Sequence, residues 1–180
     1  METDGQVTAR DHRLRGAATI VYEPLDPSPA REVAYLPSAY ADSLLGWADA
    51  CGLDRDWREG TSETGRDTVW DIERFARRGL ARLIVKTIGT DMTTPLAHDA
   101  LQSHPCCQLD LPMSDPGLDH AIAAAREQGW FLCGWLPGFT GGDVLRMQRV
   151  DVPATDLAPA VVNPTAQALL EYMRSELALT

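Results

Sequence analysis

The sequence predicts a single α/β (α+β) domain, and three observations lead there. Short β-branched segments alternate along the chain with segments whose apolar residues recur every three or four positions, the two periods of strand and helix. The 180 residues suffice for one substantial core, whereas two domains would each be marginal. An apolar fraction of 44% beside 23% charged residues belongs to chains that bury a core.

Residues 1–16 are polar and aperiodic and predict a loose N-terminal arm, so that the domain proper is expected over 17–180. The runs AATIVYE (17–23) and REVAYLP (31–37), separated by the turn residues DPSP, predict two strands able to pair as a hairpin. In the next stretch Tyr40, Leu44, Trp47, Ala48 and Cys51 share one helical face, and Gly52 supplies the stop. Residues 54–67, charged and rich in Thr and Gly, predict an exposed loop.

TVWDIERFA and ARLIVKTIG, joined by the turn Arg77, Arg78, Gly79, predict an antiparallel pair of strands. Pro95, behind Thr94, is expected to open a short helix carrying Leu96, Ala100 and Leu101, and CCQLDLP is expected to be a strand. Asp115 and Pro116 read as N-cap and first turn of a helix with Leu118, Ala121, Ile122 and Ala125 on its apolar stripe, closed by Gly129. WFLCGWLPG and DVLRMQRV predict a hairpin around a Gly-rich turn, and a last helix is expected from Asn163 and Pro164 through Leu177.

The net charge of -10, with no cluster of arginines along one face, disfavours nucleic acid and anionic membrane surfaces as partners. No apolar run is long enough to span a bilayer, and residues 1–19 lack the apolar centre of a signal peptide, which together predict a cytoplasmic protein. Cys51, Cys106, Cys107 and Cys133 show no CxxC spacing and predict reduced thiols. His98, His104 and His120 lack metal-ligand spacing, so no metal site is expected. Arginine almost replaces lysine, Lys86 being the sole example, and alanine is abundant, as in proteins of high-GC bacteria.

The order strand, helix, two long strands, helix, strand, helix, two strands resembles the GNAT acyltransferase superfamily. The stretch DPGLDHAIAAAREQGWFLCGWLPGFTGGDVLRMQRV is similar to that family's last helix, its glycine-aromatic step (here Gly129 and Trp130) and its closing hairpin. More narrowly, YLPSAYADSLLGWADACGLDR, LDLPMSDP and GDVLRMQ resemble the second, C-terminal GNAT-like domain of some two-domain bacterial proteins. The resemblance implies a mixed, mostly antiparallel central sheet flanked by helices, in which two parallel strands, ARLIVKTIG and CCQLDLP, splay apart into a cleft. It also implies acyl (acetyl) transfer from acetyl-CoA or another acyl-CoA to an amine. The family's diphosphate-binding turn, Q/R-x-x-G-x-G/A, is however replaced by GTDMTTP (89–95), and Ala125 stands where many members have a general-acid tyrosine.

Candidate site residues follow from the expected cleft. Asp110, late in an otherwise apolar strand, and Glu73, on the neighbouring strand pair, are candidate general bases. His104 is a third candidate, as base to a Cys106 or Cys107 nucleophile. Trp135 beside the Gly-rich turn, with Trp130, Thr87 and Asp91, makes up the candidate substrate-contacting set, and Trp47, Trp57 and Trp70 are expected on the other side of the cleft. Three functions stay open: acyl transfer; a CoA-independent acid-base reaction on a small molecule, such as cyclisation, isomerisation or dehydration in bacterial biosynthesis; and a non-catalytic ligand-binding or partner domain. The last would pair with a complete acyltransferase, or form a homodimer through the terminal hairpin or last helix.

Overall fold

A computed structural model of the chain describes residues 32–61, 65–151, 171–172 and 174–175. Its strands are β1 (Glu32–Tyr35), β2 (Arg55–Arg58), β3 (Val69–Phe75), β4 (Leu80–Thr87), β5 (Cys106–Pro112), β6 (Phe131–Leu136) and β7 (Val144–Val150). Its helices are α1 (Ala41–Cys51), α2 (Thr93–Leu96), α3 (Asp99–Gln102) and α4 (Leu118–Arg126). The main sheet runs β3-β4-β5-β7-β6, and β1 and β2 form a small sheet of their own. Within the main sheet only β4 and β5 are parallel; β3/β4, β5/β7 and β7/β6 are antiparallel, so the expected mixed, mostly antiparallel sheet is present.

Strand alternation sorts the side chains by face. Ala81, Leu83 and Val85 of β4, Cys107, Leu109 and Leu111 of β5, and Leu145 and Met147 of β7 are buried in one cluster with Leu44 of α1, Leu96 of α2, Leu101 of α3 and Leu118, Ala121 and Ile122 of α4. The helices therefore share a core with a single sheet face. The other face carries Arg82, Gln108, Asp110, Arg146 and Gln148, brought side by side by the register Arg82↔Gln108, Asp110↔Arg146 and Gln108↔Gln148.

The parallel ladder of β4 and β5 ends at Ile84↔Asp110, although β4 continues to Thr87 and β5 to Pro112. Beyond that point the strands diverge, and the chain closes the opening itself. Ile88 N–H donates to Asp115 Oδ2 (2.9 Å), which links the end of β4 to the loop after β5. Ile88, Met92, Leu111 and Met113 are fully buried there. Tyr35 N–H donates to Met113 O (2.7 Å), so the β1–β2 sheet sits against this upper end. Arg55 of β2, 4% exposed, fastens it to the β6–β7 turn through Asp143 (Nε to Oδ2 2.7 Å, Nη2 to Oδ1 3.2 Å).

Several expectations are corrected. Residues 55–58 form β2 and not a loop, since pairing and burial come from the parallel partner β1 and from Asp143. The helix expected from Pro95 is two short pieces, and Pro95 is the third residue of the first. His98, in an extended conformation, interrupts the path, and its ring Nδ1 accepts from Ala100 N–H to start α3. The partner strand expected for residues 31–37, at 17–23, lies outside the described residues, as do the arm and most of the last helix; residues 171–172 and 174–175 are helical.

Candidate functional site

The outward sheet face carries a connected set of charges. Asp110 is 4% exposed and Arg146 is 7% exposed; Arg146 donates to it through Nε (2.6 Å) and Nη2 (2.7 Å). Burial pulls the Arg146 guanidinium down, but the hydrogen bonds and charge of Asp110 outweigh it, and its pKa is raised. Arg82 joins this pair to the next strand: its Nε donates to Gln108 Oε1 (3.1 Å) and lies 3.9 Å from Asp110 Oδ2, while Nη1 is 3.5 Å from Glu73 Oε2. Two of the three candidate bases thus meet one arginine. Cys133 donates to Gln148 Oε1 (3.4 Å) beside them, and burial pushes its thiol up to about 11.

At the upper end, residues Arg66–Thr68 form a strap across the turn that follows β4. A methyl group at Gly89 would collide with the backbone of Arg66, Asp67 and Thr68, which shows how closely the strap lies. Three consecutive N–H groups of the turn are taken by the chain itself: Ile88 by Asp115 Oδ2 (2.9 Å), Gly89 by Thr68 Oγ1 (3.0 Å) and Thr90 by Arg66 O (3.0 Å). Arg66 donates to Ile88 O (3.0 Å) and Asp115 Oδ2 (2.6 Å), and Thr68 N–H donates to Asp91 Oδ1 (2.7 Å). Hydrogen bonding from the side chain and then the backbone of Thr68 holds the Asp91 carboxyl below its usual range. Asp115 Oδ1 also accepts from Gly117 N–H (2.9 Å) ahead of α4.

The lower end, where β4 and β5 begin, has two open hollows. One, of about 520 Å³, lies among His104, Pro105, Arg149 and Asp151; the other, of about 360 Å³, is lined by Phe75, Ala76, Arg77 and Arg78.

Protein-family models, curated proteins and solved structures were all compared with the chain, and none matches it.

The remaining candidates are dispersed. His104 stands at the lower hollow with Nδ1 2.7 Å from Ala100 O, while Cys107 donates its thiol to Leu101 O (3.1 Å) in the core, its pKa raised by burial. Trp130 is fully buried beneath Arg149, whose Cζ is 5.2 Å from the ring centroid. Trp135 meets Trp57 edge-on (5.7 Å) near the upper end, whereas Trp47 contacts Tyr172 and Trp70 contacts His98, so the tryptophans do not share one wall. Thr87 ends β4 opposite Val69, and Asp91 belongs to the strap's anchorage. Among the described residues no group of His, Cys, Asp or Glu could hold a metal ion, and no helix is long and apolar enough to cross a membrane.

Sequence reasoning missed Arg146, Arg82 and the anchor Asp115. Arg146 was visible in principle, as a charge flanked by apolar residues in a strand, the same signal that singled out Asp110.

Proposed function

We propose that the chain is a GNAT-like domain that works without CoA, as a partner domain docking on another protein. The observation that carries this reading is the strap of Arg66–Thr68, which lies flush on Gly89 while acceptors of the same chain fill the N–H groups of Ile88, Gly89 and Thr90. A diphosphate would need such a row of free donors. Here Asp115 and Asp91 add two carboxylates, so an incoming anion meets like charge as well as an occupied site. The divergence of β4 and β5 beyond Ile84 and Asp110 supports the GNAT-like part of the reading, since the resemblance implies a splayed parallel pair.

Acyl transfer to an amine would require the strap to leave. Each hydrogen bond given up costs about 0.5–1.5 kcal/mol, so releasing the whole strap amounts to several kcal/mol that CoA binding would have to offset. Open α/β sheets take ligands beyond the carboxyl ends of their strands, and in this chain that end is covered by the strap and by β1–β2. Four free thiols are in keeping with a cytoplasmic protein. Calorimetric titration with acetyl-CoA and longer acyl-CoAs tests the reading: no binding heat is expected, and saturable binding would overturn it.

A CoA-independent acid-base enzyme is the second reading, favoured by the single observation that Glu73 and Asp110 both reach Arg82. Turnover of an identified small-molecule substrate that survives both Asp110→Asn and Glu73→Gln would rule out these two residues as its bases, and absence of any such turnover counts against the enzyme reading.

A further inference from the structure

Most described arginines are held by the protein. Arg55, Arg58, Arg66, Arg82 and Arg146 pair with carboxylates, and Arg149 donates to Leu101 O. Among the described residues the side chains of Arg74, Arg77 and Arg78 are exposed and make no ion pair or hydrogen bond. Arg77 and Arg78 lie side by side on the turn from β3 to β4, and Arg74 stands near the end of β3 opposite Ala81, in a chain whose net charge is -10. Arg77 and Arg78 thus concentrate positive charge at one end of the sheet, not along a face.

The turn does not stand alone. Gly79 packs on Pro105, at 3.6 Å from an added Cβ to Cγ, and Pro105 borders the hollow of Arg149 and His104. The turn that carries one hollow thus touches the residue that borders the other, at the start of β4 and β5. One offers the half-buried Phe75 ring beside Arg77 and Arg78, the other Arg149 and the His104 ring. Two carboxylates are near: Asp151 at the rim, and Glu73, which is already engaged by Arg82.

We propose that this lower end is the docking surface for an acidic segment of a partner protein, with an apolar side chain of that segment seated against Phe75. The proposal rests on the partner-domain reading above and names the surface and the chemistry of its partner. Small ligands are taken by enclosed pockets that bury most of their surface, whereas these hollows are open and both at one end of the sheet, which suits an extended peptide. Nucleic acid is disfavoured, because three to five cations in a chain of charge -10 neutralise few phosphates. Opposite charge across an interface speeds encounter and selects the partner, which is the use open to unpaired arginines.

The test uses a fluorescein-labelled peptide of alternating glutamate and leucine, followed by anisotropy on the full chain. Binding at low salt is expected, weakening as salt screens the charges. Arg77→Glu/Arg78→Glu should weaken it about tenfold or more, with unfolding temperature unchanged because both side chains are exposed. Arg58→Glu/Lys86→Glu, an equal charge change toward the opposite end, should bind more tightly than Arg77→Glu/Arg78→Glu. No binding, equal loss in both double variants, or tighter binding of tripolyphosphate or a single-stranded oligonucleotide would overturn the proposal. Acetyl-CoA binding would instead overturn the partner-domain reading, so the two failures are distinguishable.

Discussion

Asp110 and Arg146 stand directly opposite one another on β5 and β7, at the last rung before β4 and β5 part, and are joined by two charge-assisted hydrogen bonds of 2.6 and 2.7 Å. Both are buried, so each charge leans chiefly on the other. Arg146→Ala should cost about 3–5 kcal/mol, because it strips a buried carboxylate of both charge-assisted hydrogen bonds and leaves only Arg82, 3.9 Å away, beside it. Replacing both, as in Asp110→Leu/Arg146→Met, should restore stability to within roughly 1 kcal/mol of the parent. Urea unfolding of the three proteins gives the comparison.

Gly89 has the strap's backbone against it, where no side chain fits. Gly89→Ala should therefore destabilise the chain by about 2 kcal/mol or more through overpacking, seen as a lower unfolding temperature. Gly46, with nothing within 4 Å of an added Cβ, is the matched control, and Gly46→Ala in α1 should be neutral or stabilising.

Asp91 tethers the strap at Thr68 N–H, and hydrogen bonding from the side chain and then the backbone of Thr68 holds its carboxyl below the ordinary value of 3.8. A depressed carboxyl contributes above its unfolded pKa, and the contribution is lost as pH falls through the lower, folded value. The strap should thus stay attached through neutral and mildly acidic pH and loosen only below about 3.8. The Thr68 amide chemical shift, followed by NMR in acid, should move with a midpoint under that value, and should not move in Asp91→Asn.

The cysteines should differ sharply in reactivity, since the thiolate is the nucleophile. Cys51 is exposed, whereas burial raises the Cys107 thiol and pushes Cys133 up to about 11. Brief alkylation at pH 8, read by peptide mass spectrometry, should label Cys51 first, half-buried Cys133 far more slowly, and Cys107 only once the chain is denatured.

Much of the main sheet was legible because its strands carry their own signals. β3, β4, β5 and the β6–β7 hairpin are runs of β-branched and apolar residues bounded by turns, and Gly79 and Gly129 take the left-handed conformations expected of them. β2 was not legible: Arg-Asp-Trp-Arg has one apolar residue, and its ladder depends on β1 and on the distant Asp143. The same limit applies to the site. Composition in a single strand could mark Asp110 and Arg146 separately, but their pairing across 36 residues becomes visible only through sheet register. The turn GTDMTTP was recognisable as a departure from a phosphate-binding pattern, while the strap that covers it comes from a segment with no apolar signal of its own.

The central claim is that the turn after β4 is filled by the chain's own strap, and NMR titration with acetyl-CoA tests it most directly. The amides of Ile88, Gly89 and Thr90 are expected to stay in place at millimolar ligand, with Arg66 and Thr68 unmoved. Saturable shifts at all three turn amides, together with release of Arg66 and Thr68, would contradict the account.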